Sequence, residues 1–153
     1  MSMKRFLMFI ASAIFTTTAA FAATDHFGDD ERPIRYDELP AEAKAFIAEY
    51  FAKEEVSHTI MDKGIVWDEY TVVFVSGTKL DFDDDGKWLE VNCRYSEVPA
   101  AIVPNQISDY VKSYYPKSKI TEIKRERNEW EVKLTGGLEL TFNSSFRLTD
   151  MDD

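Results

Sequence analysis

Few residues in this chain have the type and spacing to do chemistry, and the densest group is in "DFDDDGKWLEVN" (81–92). Asp81, Asp83 and Asp85 alternate and Gly86 follows, the opening half of a twelve-residue calcium loop. Such a loop surrounds the ion with oxygens from alternate positions and closes with a bidentate Glu at its last position. Counted from Asp81, the last position is Asn92, and the nearest acid is Glu90. The closing carboxylate is missing. The same residue types also build the turn of a β-hairpin. No EF-hand is expected; weak divalent-cation binding by Asp81, Asp83 and Asp85 on an exposed turn is the alternative reading.

The remaining chemical candidates are sparse. Cys93 is the only cysteine, and His26 and His58 are the only histidines. A thiol nucleophile needs a base beside it. His26 lies in an acidic leader and His58 opens a strand-like run, so Cys93 reads as a buried strand residue. An amino-terminal copper site would need histidine third in the mature chain, and cleavage after Ala22 makes His26 fourth. There is no G-x-S-x-G, H-E-x-x-H or paired-cysteine spacing. Glu54-Glu55 and Asp83 to Asp85 belong to a helix end and a turn, solvated surface without the buried setting that acid–base work needs. No catalytic residue and no cofactor are expected.

Residues 1–22 combine Lys4 and Arg5, an apolar run from Phe6 to Phe15, and small residues ending in Ala20-Phe21-Ala22. This is the layout of a secretory signal peptide, and the apolar run is too short to span a bilayer. A periplasmic or otherwise secreted protein without membrane insertion is expected. Loss of Lys4 and Arg5 takes the formal net charge from −10 to −12. That field disfavours nucleic acid and favours a basic protein or peptide partner. The acidic leader 23–37 reads as a solvated tether.

The elements that must carry these residues are read from an internal repeat. "LPAEAKAFIAEYFAKEEV" (39–56) aligns with "VPNQISDYVKSYYPKSKI" (103–120) at an offset of 64, and "EYTVVFVSGTKLDF" (69–82) with "EWEVKLTGGLELTF" (129–142) at an offset of 60. Pro40 and Pro104 suit helix starts. Ala43, Phe46, Ile47 and Tyr50 recur at helical spacing, as do Ile107, Tyr110, Val111 and Tyr114. Strand-like runs follow over 56–61, 67–76, 78–83 and 87–95, then 119–125, 129–135, 137–143 and 146–150, with hairpin turns at Ser76-Gly77 and Gly136-Gly137. Tyr70, Val72, Phe74, Leu80 and Phe82 share one face, as do Trp130, Val132, Leu134, Leu140 and Phe142. The expected class is α+β: a tandem repeat of one helix plus a four-stranded antiparallel meander, over 38–96 and 97–153, with the helices on one face of the sheet. Edge-to-edge joining of the two sheets would leave the opposite face open. With Phe82 inward, Asp81 and Asp83 point to that opposite face. "TFNSSFRLTD" carries no acid at the positions of Asp81, Asp83 or Asp85, so this turn does not need metal to form.

The order "LP…FI…YF", then "Y-x-V-x-F-x-x-G-x-x-L-x-F-D-x-x-G-x-W", then "VP…IVP…I…YV…YYP…I" resembles the PepSY-like proteins over about 37–150. These are also described as β-lactamase-inhibitor-like and are exported by Bacteroidetes-type bacteria. The resemblance implies a tandem α+β repeat, an extracytoplasmic location, and a protein- or peptide-binding or inhibitory role without catalysis. The inhibitors the family is named after bind their enzyme through an open concave sheet face, and no particular residue carries over to this chain.

Candidate partner-binding residues follow from the outward face. Val73 and Val75 make the strand 70–75 apolar on both sides, whereas Glu131, Lys133 and Thr135 occupy the second copy. Trp88, Glu90 and Arg94 are read as outward because Leu89, Val91 and Cys93 look like the inward set. An exposed Trp beside apolar strand positions is a binding hot spot in the making. The alternative is a bulge that turns Trp88 inward, which its alignment with Leu148 favours.

Overall fold

The computed structural model describes residues 30–153; the expected signal peptide 1–22, His26 and leader residues 23–29 lie outside the described residues. The chain runs β1 (Glu31–Ile34), a 3-10 turn (Tyr36–Glu38), α1 (Ala41–Tyr50), β2 (Val56–Asp62), β3 (Glu69–Phe74), β4 (Lys79–Phe82), β5 (Trp88–Asn92), α2 (Asn105–Tyr114), β6 (Ile120–Arg125), β7 (Glu129–Leu134), β8 (Glu139–Asn143) and β9 (Leu148–Asp152). All nine strands form one antiparallel sheet whose spatial order is the chain order.

This corrects the expected tandem repeat of a helix plus a four-stranded meander. The structure is α+β, but the described residues form one nine-stranded sheet with two helices. The physical reason lies at β5 and β6. They pair through Glu90↔Lys124, Val91↔Ile123 and Asn92↔Glu122, so no sheet edge divides the chain there. Val91 and Ile123 are fully buried in a single core cluster. The leader also differs from the expected tether. Its residues 31–34 form β1, which pairs with β2 from Glu31↔Asp62 to Ile34↔Thr59.

Both helices begin after a proline with extended backbone, Pro40 and Pro104, where a missing N–H costs nothing. Each has a narrow apolar stripe, Ala43 and Ile47 in α1 and Ile107 and Val111 in α2, buried on the same side of the sheet. Phe46 meets Phe82 edge-on at 5.8 Å, and Tyr110 meets Phe142 in the same way at 5.3 Å. Phe74, Phe82 and Phe142 are almost fully buried. Each such burial stabilises by about 1.5–3 kcal/mol relative to exposure.

The turn that carries the aspartates is placed by α1. Gly86 has φ +86°, and a Cβ there would come within 2.8 Å of the Ala43 nitrogen and of the Pro40 side chain. Gly86 is therefore required by a left-handed backbone and by contact with the first helical turn. Its resemblance to the invariant glycine of a calcium loop has this different origin.

Candidate functional site

Among the described residues, the helices cover one side of the sheet and leave the other uncovered. Strand register decides which side chains stand on the open side. Val72, Leu80, Val91, Ile123, Val132 and Leu140 lie in consecutive paired positions and are buried. Their strand neighbours must point outward. These are Thr71 and Val73 on β3, Lys79 and Asp81 on β4, Glu90 and Asn92 on β5, Glu122 and Lys124 on β6, Glu131 and Lys133 on β7, and Glu139 and Thr141 on β8.

The outward side chains form a band of alternating charge. Thr71 Oγ1 donates to Asp81 Oδ1 at 2.6 Å, and Lys79 Nζ donates to Asp81 Oδ2 at 2.8 Å. Lys124 Nζ stands 3.7 Å from Glu90 across the β5–β6 seam, and Lys133 Nζ 3.4 Å from Glu139. Asn92 Nδ2 donates to Glu122 Oε2 at 2.8 Å. Asp81 and Glu90 are only 15% exposed, so neighbouring stems shield them from water. Acids outnumber lysines here, and the imbalance perturbs several carboxyls. Burial, then the negative charges of Asp81 and Asp62, raises Glu69 above the ordinary range. Burial, then Glu90, raises Glu122 against the opposing pull of Lys133 and Lys124. Burial also raises Glu131, which Lys124 opposes. Such a face carries unrelieved negative charge and attracts cationic groups.

The predicted binding residues do not form one patch. Val73 is half-buried on the open face, between His58 of β2 and Lys79 of β4. Val75 lies beyond the end of β3 and is 66% exposed. Glu90 lies at the centre of the charged band. Arg94 is exposed with φ +53°, and with Tyr95, Thr121, Lys133 and Gly136 it lines an open depression of about 400 Å³. Trp88 differs. A register shift between Asp81 and Phe82 sets Trp88 opposite Phe82, which turns the indole to the helix side. There it stacks on Phe46 at 6.2 Å and meets Trp130 at 6.0 Å. The bulge reading describes this residue.

Asp81, Asp83 and Asp85 do not converge. Asp81 is held by Lys79 and Thr71; Asp83 Oδ1 accepts from the Lys87 backbone N–H at 2.8 Å; Asp85 stands 3.5 Å from Lys87 Nζ. Among the described residues, no three His, Cys, Asp or Glu side chains gather as a metal site would require. Cys93 is buried, and burial, aided by the charge of Glu54, pushes its thiol up to about 11. That is opposite to the shift that activates a nucleophile.

Of the lysines interleaved with these acids, Lys133 is placed on the outward face by the sequence, whereas Lys79 and Lys124 were not singled out from it. Alternation with buried Leu80, Ile123 and Val132 was signal enough to find them. What alternation alone does not supply is the pairing of β5 with β6, which brings Lys124 to Glu90.

An α+β architecture with both helices on one side of an antiparallel sheet and a charged open side defines the class. Within it the chain belongs to the PepSY-like family: residues 68–150 match the family model described as "Putative beta-lactamase-inhibitor-like, PepSY-like". Solved structures agree. A "putative periplasmic protein" of the DUF2874 family from Bacteroides vulgatus has a TM-score of 0.79 and 40% identity, covering 83% of this chain and 100% of that one. A "putative calcium-regulated periplasmic protein" from Bacteroides thetaiotaomicron has a TM-score of 0.79 and 38% identity, covering 82% and 98%. A further "putative periplasmic protein of unknown function" from Bacteroides vulgatus has a TM-score of 0.77 and 30% identity, covering 80% of this chain and 99% of that one. A search of the curated proteins found no match. The periplasmic location expected from residues 1–22 agrees with these relatives. No helix among the described residues is long and apolar enough to cross a membrane.

Proposed function

We propose that the protein is a non-catalytic periplasmic binding module that engages a basic protein or peptide with the open face of its sheet. One observation carries this reading: both helices pack on one side, and the uncovered side presents shielded acids, Asp81, Glu90, Glu122 and Glu131, in excess over Lys79, Lys124 and Lys133. Electrostatic complementarity of this kind speeds association and makes it salt-sensitive. The test is capture from periplasmic extract followed by affinity measurement with each purified candidate. Val73→Lys and Glu90→Lys should each weaken binding, and so should added salt. Binding unchanged by both substitutions and by salt sinks the proposal.

A second reading draws on the description of the Bacteroides thetaiotaomicron relative as calcium-regulated. Here the acids of the β4–β5 turn, Asp83 and Asp85, would gather a divalent cation after Lys87 is displaced. Titration calorimetry with calcium decides it. Heat lost in Asp83→Ala with Asp85→Ala supports it; no heat at millimolar calcium, or the same heat in the double variant, removes it.

A further inference from the structure

The β2–β3 hairpin ends in a tip of unusual chemistry. Between Asp62 and Glu69 the chain reads Lys63-Gly64-Ile65-Val66-Trp67-Asp68. Ile65 is 105% exposed, Val66 76% and Trp67 53%. Folding does not demand this. The β6–β7 hairpin of the same sheet closes with three polar residues, Glu126, Arg127 and Asn128, tied by the Glu126 N–H to the Glu129 carbonyl at 2.9 Å. Three adjacent apolar side chains held in water are costly unless something covers them.

The tip is also shaped. A Cβ at Gly64 would lie 2.0 Å from the Trp67 carbonyl oxygen, so only glycine allows the chain to fold back so closely there. The base is anchored where the Lys63 N–H donates to the Asp30 carbonyl at 3.1 Å. A ready-made apolar tip loses little freedom on docking.

We propose that residues 63–68 are an insertion finger that seats Ile65, Val66 and Trp67 in an apolar cleft of a partner protein whose rim is basic. Charge selects this occupant. Asp30, Glu31, Asp62, Asp68 and Glu69 ring the tip, with Lys63 the cation within it. Membrane-seeking apolar tips carry Lys or Arg beside them, and here acids stand in those places. A second copy of this chain would bring the same acids against its own. The finger lies beyond the end of the charged band and does not depend on the open-face reading.

The test replaces Val66 with the photoreactive residue p-benzoylphenylalanine in the full chain, with Arg127 replaced likewise as the control hairpin. Irradiation in the native envelope should give a protein adduct from position 66 that position 127 does not give. That protein, identified and purified, should bind the wild-type chain, weaken with added salt, and lose affinity at least about tenfold with Ile65→Ser plus Trp67→Ala. Both substitutions are at exposed positions, and an unchanged melting curve confirms that the fold is intact. Val73→Lys should leave the position-66 adduct in place, which separates this inference from the open-face reading. Adducts only to lipid, only to a second copy of this chain, or to nothing overturn the proposal. So does a purified partner that binds the double variant as tightly as wild type.

Discussion

The guanidinium of Arg125 lies 4.7 Å from the centre of the Trp88 ring, and its Nη2 donates to the Trp88 backbone carbonyl at 2.8 Å. Backbone pairing between β5 and β6 stops at Glu90↔Lys124, so this contact extends the seam past the last pair. A planar guanidinium can stack and donate together, whereas an ammonium has no flat face. Arg125→Lys should therefore cost about 1 kcal/mol, read as a lower midpoint in denaturant. A stability equal to wild type would show the stack to be idle.

The two aromatic plugs under the helices should be the most sensitive core positions. Phe82 and Phe142 are both fully buried, beneath Phe46 and Tyr110 respectively. Phe82→Ala and Phe142→Ala should each lose about 3–5 kcal/mol, because the rings leave cavities under helices that cannot fully collapse. Because one core serves the whole sheet, either change should lower a single unfolding transition. Two separate transitions would contradict the shared core.

Gly86→Ala should cost about 2 kcal/mol or more, from a left-handed backbone and from collision with the start of α1. Gly136→Ala is the matched control: its φ is +102° but nothing lies within 4 Å of the added methyl. The first variant should melt clearly below the second. Equal melting temperatures would mean that α1 moves aside freely.

Glu122 predicts a pH dependence with a definite sign. Its carboxyl is raised in the fold, by burial first and Glu90 second, above the ordinary 4.5. Stability from this group is full below that ordinary value and is lost as pH rises through the folded value. Glu122→Gln keeps an acceptor for Asn92 and removes the loss. The variant should gain on wild type from about pH 4.5 towards neutrality. Denaturation curves across that range check it, and an advantage confined to lower pH would reverse the assignment.

Cys93 should be nearly silent towards alkylation while the protein is folded. With its thiol moved from 9.0 to about 11, the thiolate fraction at pH 8 is roughly a hundredth of the unperturbed one. Labelling should proceed only on unfolding; rapid labelling of the folded chain would contradict its burial.

Much of this architecture was legible in the sequence. Alternation located eight of the strands and the 3.6-residue period located both helices, because each element has one buried side. β1 escaped notice because "ERPI" has no alternation and contains a proline; β2 supplies its register from outside. The continuity of the sheet escaped too, since a repeat in the letters is silent on whether neighbouring edges pair. Trp88 shows the limit most clearly. Period-two counting puts it outward, and one extra residue in β5 reverses it, a change that spacing alone does not announce. The apolar finger was obscured at one end, where Trp67 reads as the first residue of a strand.

The strict correspondence between strand order and chain order has a consequence for biogenesis. Each strand after the first finds its template already laid down by the one before, across a short hairpin in most cases and across a helix at β1–β2 and β5–β6. Such a protein can assemble like a zipper as it arrives amino-terminus first, because every strand pairs with its neighbour in the chain. At every stage the growing margin is the next strand's docking place. Among the described residues one margin of the sheet is β9, whose Asp150 and Asp152, with Asp153 just after it, carry charges that discourage a further strand from another molecule.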